Sequence, residues 1–114
     1  MDCLFCKIAS GAIPAKKVFE DDQAIAFRDI NPEAPVHILV VPKKHVGSLA
    51  EIDGTQNEVA LLGHLLALVA QIARTENLGQ GYRTVVNTGA DGGQTVDHLH
   101  LHLLGGRAMH WPPG

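Results

Sequence analysis

His98-Leu99-His100-Leu101-His102-Leu103-Leu104-Gly105-Gly106 decides the reading of this chain. Three imidazoles alternate with leucines. Successive side chains of a β-strand point to opposite faces. The run therefore predicts a strand over 98–104, with His98, His100 and His102 on one face and Leu99, Leu101 and Leu103 against a core. A strand with only a packing task has little reason to align three groups that titrate near neutral pH. The histidine face is a site.

Working outward, His37-Ile38-Leu39-Val40-Val41-Pro42 is an apolar, β-branched run set off by Asn31-Pro32 and Ala34-Pro35, and reads as a buried strand. Val18-Phe19-Glu20 and the segment 24–28 flank the polar Asp21-Asp22-Gln23, a hairpin pattern. A further strand is predicted over 83–87. Residues 3–10 suit a short helix stopped by Gly11, with Pro14 in the turn beyond. The long helix starts at a capping box, Thr55-Gln56-Asn57-Glu58, and carries Leu61, Leu62, Leu65, Leu68, Val69 and Ile72 at helical spacing, with Gly79 as its expected stop. These elements predict an α+β fold: about five strands in an antiparallel sheet with one long and one short helix.

With 114 residues the chain is expected to be a single domain spanning 1–114. Apolar residues make up 46% and charged residues 18%, which excludes a disordered or fibrous chain. A formal charge of −3 gives no broad basic surface, so no nucleic-acid partner is expected. No apolar run is read as approaching the roughly 20 residues of a membrane span, and no membrane partner is expected. The N-terminus lacks an export pattern, and cytoplasmic localisation is the expectation. Both cysteines lie in Cys3-Leu4-Phe5-Cys6, too close together to staple a fold. They read as packed thiols, redox groups or half of a tetrahedral metal site.

Histidines on one strand face support two chemistries. They can ligate zinc, or a neutral imidazole can attack a phosphoryl centre and form a covalent intermediate. The glycine-rich Gly92-Gly93-Gln94-Thr95 just upstream is expected to present backbone N–H groups to an anion, which favours phosphoryl or nucleotidyl transfer. His64, in the long helix, and His110, beside Trp111, read as packing or surface groups.

The run His98-Leu99-His100-Leu101-His102-Leu103-Leu104 resembles the His-x-His-x-His-x-x signature of the histidine-triad (HIT) superfamily. Ile13-Pro14-Ala15-Lys16, Phe19-Glu20-Asp21-Asp22, Ala34-Pro35-Val36-His37, Pro42-Lys43-Lys44-His45, Gly81-Tyr82-Arg83, Val85-Val86-Asn87 and the segment 105–114 are similar to its histidine-triad nucleotide-binding (Hint) branch. The resemblance covers nearly the whole chain. It implies a HIT-like fold, a homodimer with one continuous sheet, a purine nucleotide in each protomer and hydrolysis of nucleoside phosphoramidates and related nucleotidyl compounds. No cofactor is implied for catalysis.

By position the resemblance makes His100 the nucleophile on the α-phosphorus. His37 and His102 would orient the phosphate, with His98 on the same face, and Thr95 would contribute a hydroxyl. Asn87, Gly93, Gln94 and Thr95 would line the phosphate and leaving group, and Asp29 would accept ribose hydroxyls. Phe5, Ile8, Ile13, Phe27, Ile30 and Leu39 would form the slot for the base; their alternative is ordinary core. Trp111 would reach the partner protomer's site. Zinc-containing relatives complete their site from two motif positions, which here are His45 and His98 beside Cys3 and Cys6. A structural zinc on these four residues stands against a pair of packed thiols. Thr95 replaces the serine usual in close relatives, and Asp97 replaces an aromatic residue and is expected to be exposed. Two other readings of the pocket are a nucleotide-binding regulatory module and a dinucleoside polyphosphate hydrolase.

Overall fold

Continuous burial along Ala24–Arg28 and Val36–Pro42 and alternating burial along Leu101–Gly105 build the centre of the molecule. The computed structural model describes residues 3–114. Strands β1 (Lys17–Glu20), β2 (Ala24–Arg28), β3 (Val36–Pro42), β4 (Tyr82–Val85) and β5 (Leu101–Gly105) form an antiparallel sheet in the order β1-β2-β3-β5-β4. Helix α1 (Leu4–Ala9) precedes β1, a 3-10 turn spans Leu49–Glu51, and α2 (Gln56–Thr75) connects β3 to β4. The expected α+β class, the antiparallel sheet and both helices are present.

One face of the sheet packs on α2. Ala24, Ala26, Ile38, Val40, Leu99, Leu101 and Leu103 join Leu61, Leu65, Leu68, Val69 and Ile72 of the helix in one buried cluster. The opposite face carries Ile25, Phe27, Leu39 and Val41 beneath Phe5 of α1. β3 is thus buried on both sides, which is why its sequence is continuously apolar rather than alternating. The register opposes Leu39 to both Phe27 and His102, so the face under α1 is also the face of His37 and His102.

Several boundaries differ from the expectation. β5 begins at Leu101, so His98, Leu99 and His100 lead into the strand outside the ladder; the Leu99 N–H instead bonds the Val46 carbonyl at 2.6 Å. The inward alternation of Leu99, Leu101 and Leu103 holds nevertheless, because burial rather than pairing sets it. The strand expected over 83–87 runs from Tyr82 to Val85. α2 ends at Thr75 and its stop signal is Asn77, not Gly79: Asn77 takes φ 61°, and the Leu78 and Asn77 N–H groups close on the Ala73 and Arg74 carbonyls. The capping box is half formed. Thr55 Oγ1 accepts the Glu58 N–H, while Glu58 turns to Lys44 at 3.2 Å and the Thr55 N–H bonds Asp53.

α2 also corrects the reading of apolar runs. The helix has 20 residues, and an 18-residue stretch of it has a mean hydropathy of 1.3, long and apolar enough to cross a membrane by length and composition. In the fold its inner face covers the sheet, while Val59, Ala60, Gly63, Leu66 and Ala67 lie exposed on the outer side.

Candidate active site

The turn of chain entering β5 places two histidines in different surroundings. His100 packs its ring 5.0 Å from that of His102, and its Nδ1–H donates to the His98 carbonyl at 2.7 Å. The proton is thereby held on Nδ1, and the lone pair remains on Nε2. His100 and His102 line a cavity of about 350 Å³, whose apolar wall includes Phe5, Ile8, Ile13, Phe27 and Leu39. Asp29, Ile30 and Thr95 also border it. Ile30 is 91% exposed, so it forms a rim rather than the floor.

A hydrogen-bond relay stands behind this pair. The Glu33 N–H donates into His37 Nδ1 at 3.0 Å, which leaves the His37 proton on Nε2. That N–H faces His102 Nδ1 at 2.9 Å, so His102 accepts there and keeps its own proton on Nε2. Asp29 Oδ2 lies 3.5 Å from His37 Nε2, and Oδ1 accepts the Asn31 N–H. Asp29, His37 and His102 therefore bring three potential metal-ligand atoms close together. The proton on His37 Nε2 makes the group a relay of donors instead. Burial, then the nearby His100 and His37 imidazoles, pull His102 down to about 4, against an opposing pull from Asp29. It is a neutral donor at physiological pH.

His98 belongs elsewhere. Its ring is fully buried, its Nε2–H donates to the Pro42 carbonyl at 2.7 Å, and its Nδ1 lies 3.2 Å from Cys3 Sγ and 3.5 Å from Cys6 Sγ. His45 Nδ1 is 3.3 Å from Cys6 Sγ. The ligand atoms of Cys3, Cys6, His45 and His98 all lie within 4.8 Å of one another. A zinc ion bonded to sulfur at about 2.3 Å and to nitrogen at about 2.0 Å holds tetrahedral neighbours about 3.5 Å apart. The sulfur–nitrogen distances match that edge. Burial lowers His98 from its ordinary value, favouring the neutral, ligating form, and its bond to Pro42 fixes the tautomer with Nδ1 open. Burial and the adjoining Cys3 raise the Cys6 thiol, so an arriving cation must displace a proton there.

The glycine-rich loop departs from its expected role. The Gly93 and Gln94 N–H groups are taken by the Ala90 and Gly89 carbonyls, so neither is open to an anion in this conformation. The Gln94 side chain accepts the Gly89 N–H and donates to the Gly47 and Val96 carbonyls, pinning the loop to the segment after β3. Asn87 Nδ2 donates to the Gly92 carbonyl. A Cβ at Gly92 would fall 2.3 Å from the Thr88 carbonyl oxygen, which explains that glycine by close approach of backbone. Of the four loop residues expected at the phosphate and leaving group, Thr95 lines the cavity. Trp111 is 84% exposed and does not line it. Asp97 is exposed, as expected.

Sequence reasoning missed Leu4, Pro14, Ala15, Arg28, Asn31 and Val96 on the cavity wall. Leu4 was within reach, because it shares a helix face with Ile8. The Glu33 N–H and His98 carbonyl that set the tautomers carry no sequence signal, since every residue has these groups. His64 bonds Asp21 at 2.7 Å and ties α2 to the β1–β2 turn, a structural role.

Residues 10–109 match the HIT domain family, and the chain belongs to it. It is 58% identical over 113 residues to an uncharacterized HIT-like protein of Synechococcus elongatus, covering 99% of this chain and 97% of that one. The fold superposes with a TM-score of 0.95 on a HIT family hydrolase from Legionella pneumophila, at 51% identity and covering 99% and 100% of the two chains. A histidine triad nucleotide-binding protein from Candida albicans superposes with a TM-score of 0.82, at 32% identity and covering 97% and 83%.

Proposed function

We propose that this protein is a hydrolase of the nucleotide-binding branch of the family, acting on purine nucleoside phosphoramidates and related nucleotidyl compounds. The observation that carries the reading is the His100 Nδ1–H bond to the His98 carbonyl, which leaves a nucleophilic Nε2 on the wall of an apolar cavity. His100 Nε2 attacks the α-phosphorus, an N–P bond forms, the bond to the leaving amine breaks, and that amine departs with a proton. Water then attacks the nucleotidyl-histidine, its proton leaves as the N–P bond breaks, and a nucleoside monophosphate is released. The His102 Nε2–H donates a hydrogen bond where negative charge develops on phosphate oxygens, and the His37 Nε2–H, bonded to His102 Nδ1, holds His102 in that tautomer. Asp29 receives the ribose hydroxyls, and Phe27, Leu39, Ile13 and Ile8 hold the base. The hydrolase and nucleotide-binding relatives support this reading.

The same reading includes a structural zinc on Cys3, Cys6, His45 and His98, which would leave His100 free for chemistry. It also includes a homodimer. The exposed apolar stripe of α2 and the edge strand β4 offer a self-complementary surface with an unpaired backbone row.

The test is turnover of adenosine phosphoramidate beside a diadenosine polyphosphate, with wild type and His100→Ala. Amine release from the first substrate is expected in wild type, with the variant still binding AMP. Loss of the nucleophile should exceed the roughly 10²–10³-fold typical of removing one orienting donor. A His100→Ala rate within tenfold of wild type would sink the covalent route, and cleavage of the polyphosphate alone would favour the rival substrate class. AMP binding without turnover of either would favour the regulatory module.

A further inference from the structure

Phe5 lies between the two cysteines in sequence and between two histidines in space. It is buried on the six-residue α1, and its ring meets Phe27 at 5.5 Å, His98 at 6.0 Å and His100 at 5.1 Å, the last at an interplanar angle of 86°. A helix this short does not hold its own conformation. Its start is fixed by Cys3, whose Sγ accepts the Cys6 N–H and lies against His98, and by Cys6, which reaches His45. The cluster that anchors α1 therefore also sets where the Phe5 ring stands.

Besides its contact with His102, the nucleophile is held at two points that lead back to that cluster. The His98 carbonyl fixes His100 Nδ1. A single hydrogen bond leaves the imidazole free to roll about the bond direction, and the perpendicular ring of Phe5 blocks that roll. In-line attack tolerates little misalignment: a displacement of about 1 Å can cost about 10²-fold in rate.

We propose that Phe5, anchored by Cys3, Cys6, His45 and His98, is a positioning residue that orients the His100 imidazole for attack. This rests on the reading of His100 as the nucleophile. It makes the thiol–imidazole cluster part of the catalytic apparatus without any contact between Cys3, Cys6 or His45 and substrate. Phe5 also walls the cavity, so its two roles must be separated.

The experiment compares Phe5→Leu, Cys6→Ser and the double variant with wild type. It measures kcat on adenosine phosphoramidate, Kd for AMP, zinc content and the side-chain ¹H–¹⁵N spectrum of His100. Phe5→Leu is expected to lower kcat by about 10–10²-fold while AMP affinity changes by less than about threefold, and to spread the His100 signals from one Nδ1–H tautomer to an exchanging mixture. Cys6→Ser, which lies off the cavity wall, should shift the same signals in the same direction. The double variant should be no slower than the slower single variant, because both act through one contact. Unchanged His100 signals in Phe5→Leu overturn the proposal, as do a kcat loss matched by weaker AMP binding, or multiplicative losses in the double variant. If Phe5→Leu does not fold, Phe5→Met repeats the comparison with a flexible apolar chain. If wild type turns over no phosphoramidate, the functional reading fails, and the His100 spectrum still decides whether Phe5 orients the ring.

Discussion

Leu101→Ala tests how the two faces of β5 depend on each other. Leu101 is fully buried opposite Val40, in the cluster that joins the sheet to α2, and it sits between His100 and His102 in sequence. The substitution removes about three methylene equivalents, worth about 0.8 kcal/mol each, or about 2.4 kcal/mol of transfer free energy. A cavity term is added, because strand and helix are held by their own hydrogen bonds and cannot close the gap. The total should reach about 3–5 kcal/mol, in the upper part of the range for buried leucines. The assay is urea unfolding followed by circular dichroism at one fixed protein concentration, since an oligomer's midpoint depends on concentration. A lower midpoint with an unchanged m-value is expected. Turnover should fall as well, because Leu101 backs the start of β5, with His100 just before it and His102 just after. Leu49→Ala, at a partly exposed position, should stay within about 0.5 kcal/mol. A loss below 1 kcal/mol for Leu101→Ala would refute the claim that this face is close-packed.

Acid should weaken the fold in a defined window. His102 titrates near 4 in the folded protein against about 6.5 unfolded, so the unfolded chain binds more protons between those values. Stability is then full above about pH 6.5 and falls as pH drops toward 4, with His98 acting in the same direction; a urea midpoint that rises on acidification contradicts this. Asn77→Gly should stabilise by up to about 1 kcal/mol, because glycine takes the left-handed conformation at φ 61° without penalty, while Asn77→Ala should destabilise by a similar amount; the order of thermal midpoints checks both. Leu66→Arg, on the exposed stripe of α2, should convert the proposed homodimer to monomer in sedimentation at micromolar concentration, and a wild-type monomer there removes the dimer reading.

Local order was legible because it rests on local rules. Thr55 begins a helix because its hydroxyl takes an orphan N–H, and Gly11 ends one at φ 84°. The leucines at 99, 101 and 103 are buried because alternation and hydrophobicity agree. Phe5, Ile8, Ile13, Phe27 and Leu39 do line one cavity, although their sequence signal is the same as that of ordinary core. Even there, the residue that stops α2 is Asn77 rather than Gly79, since asparagine also tolerates the left-handed turn and comes first along the chain.

By itself, the sequence determined the α+β pattern, the histidine-bearing face and the paired cysteines, all of which follow from period and residue type. Tertiary structure decided which partners those residues take. His98 turned to the cysteines and left His100 and His102 to the cavity, and Gln94 spent its amide on Gly47 and Val96. A backbone carbonyl and a backbone N–H set the tautomers of His100 and His37. Those choices depend on atoms that every residue carries and on neighbours up to 95 positions away, so no local pattern encodes them.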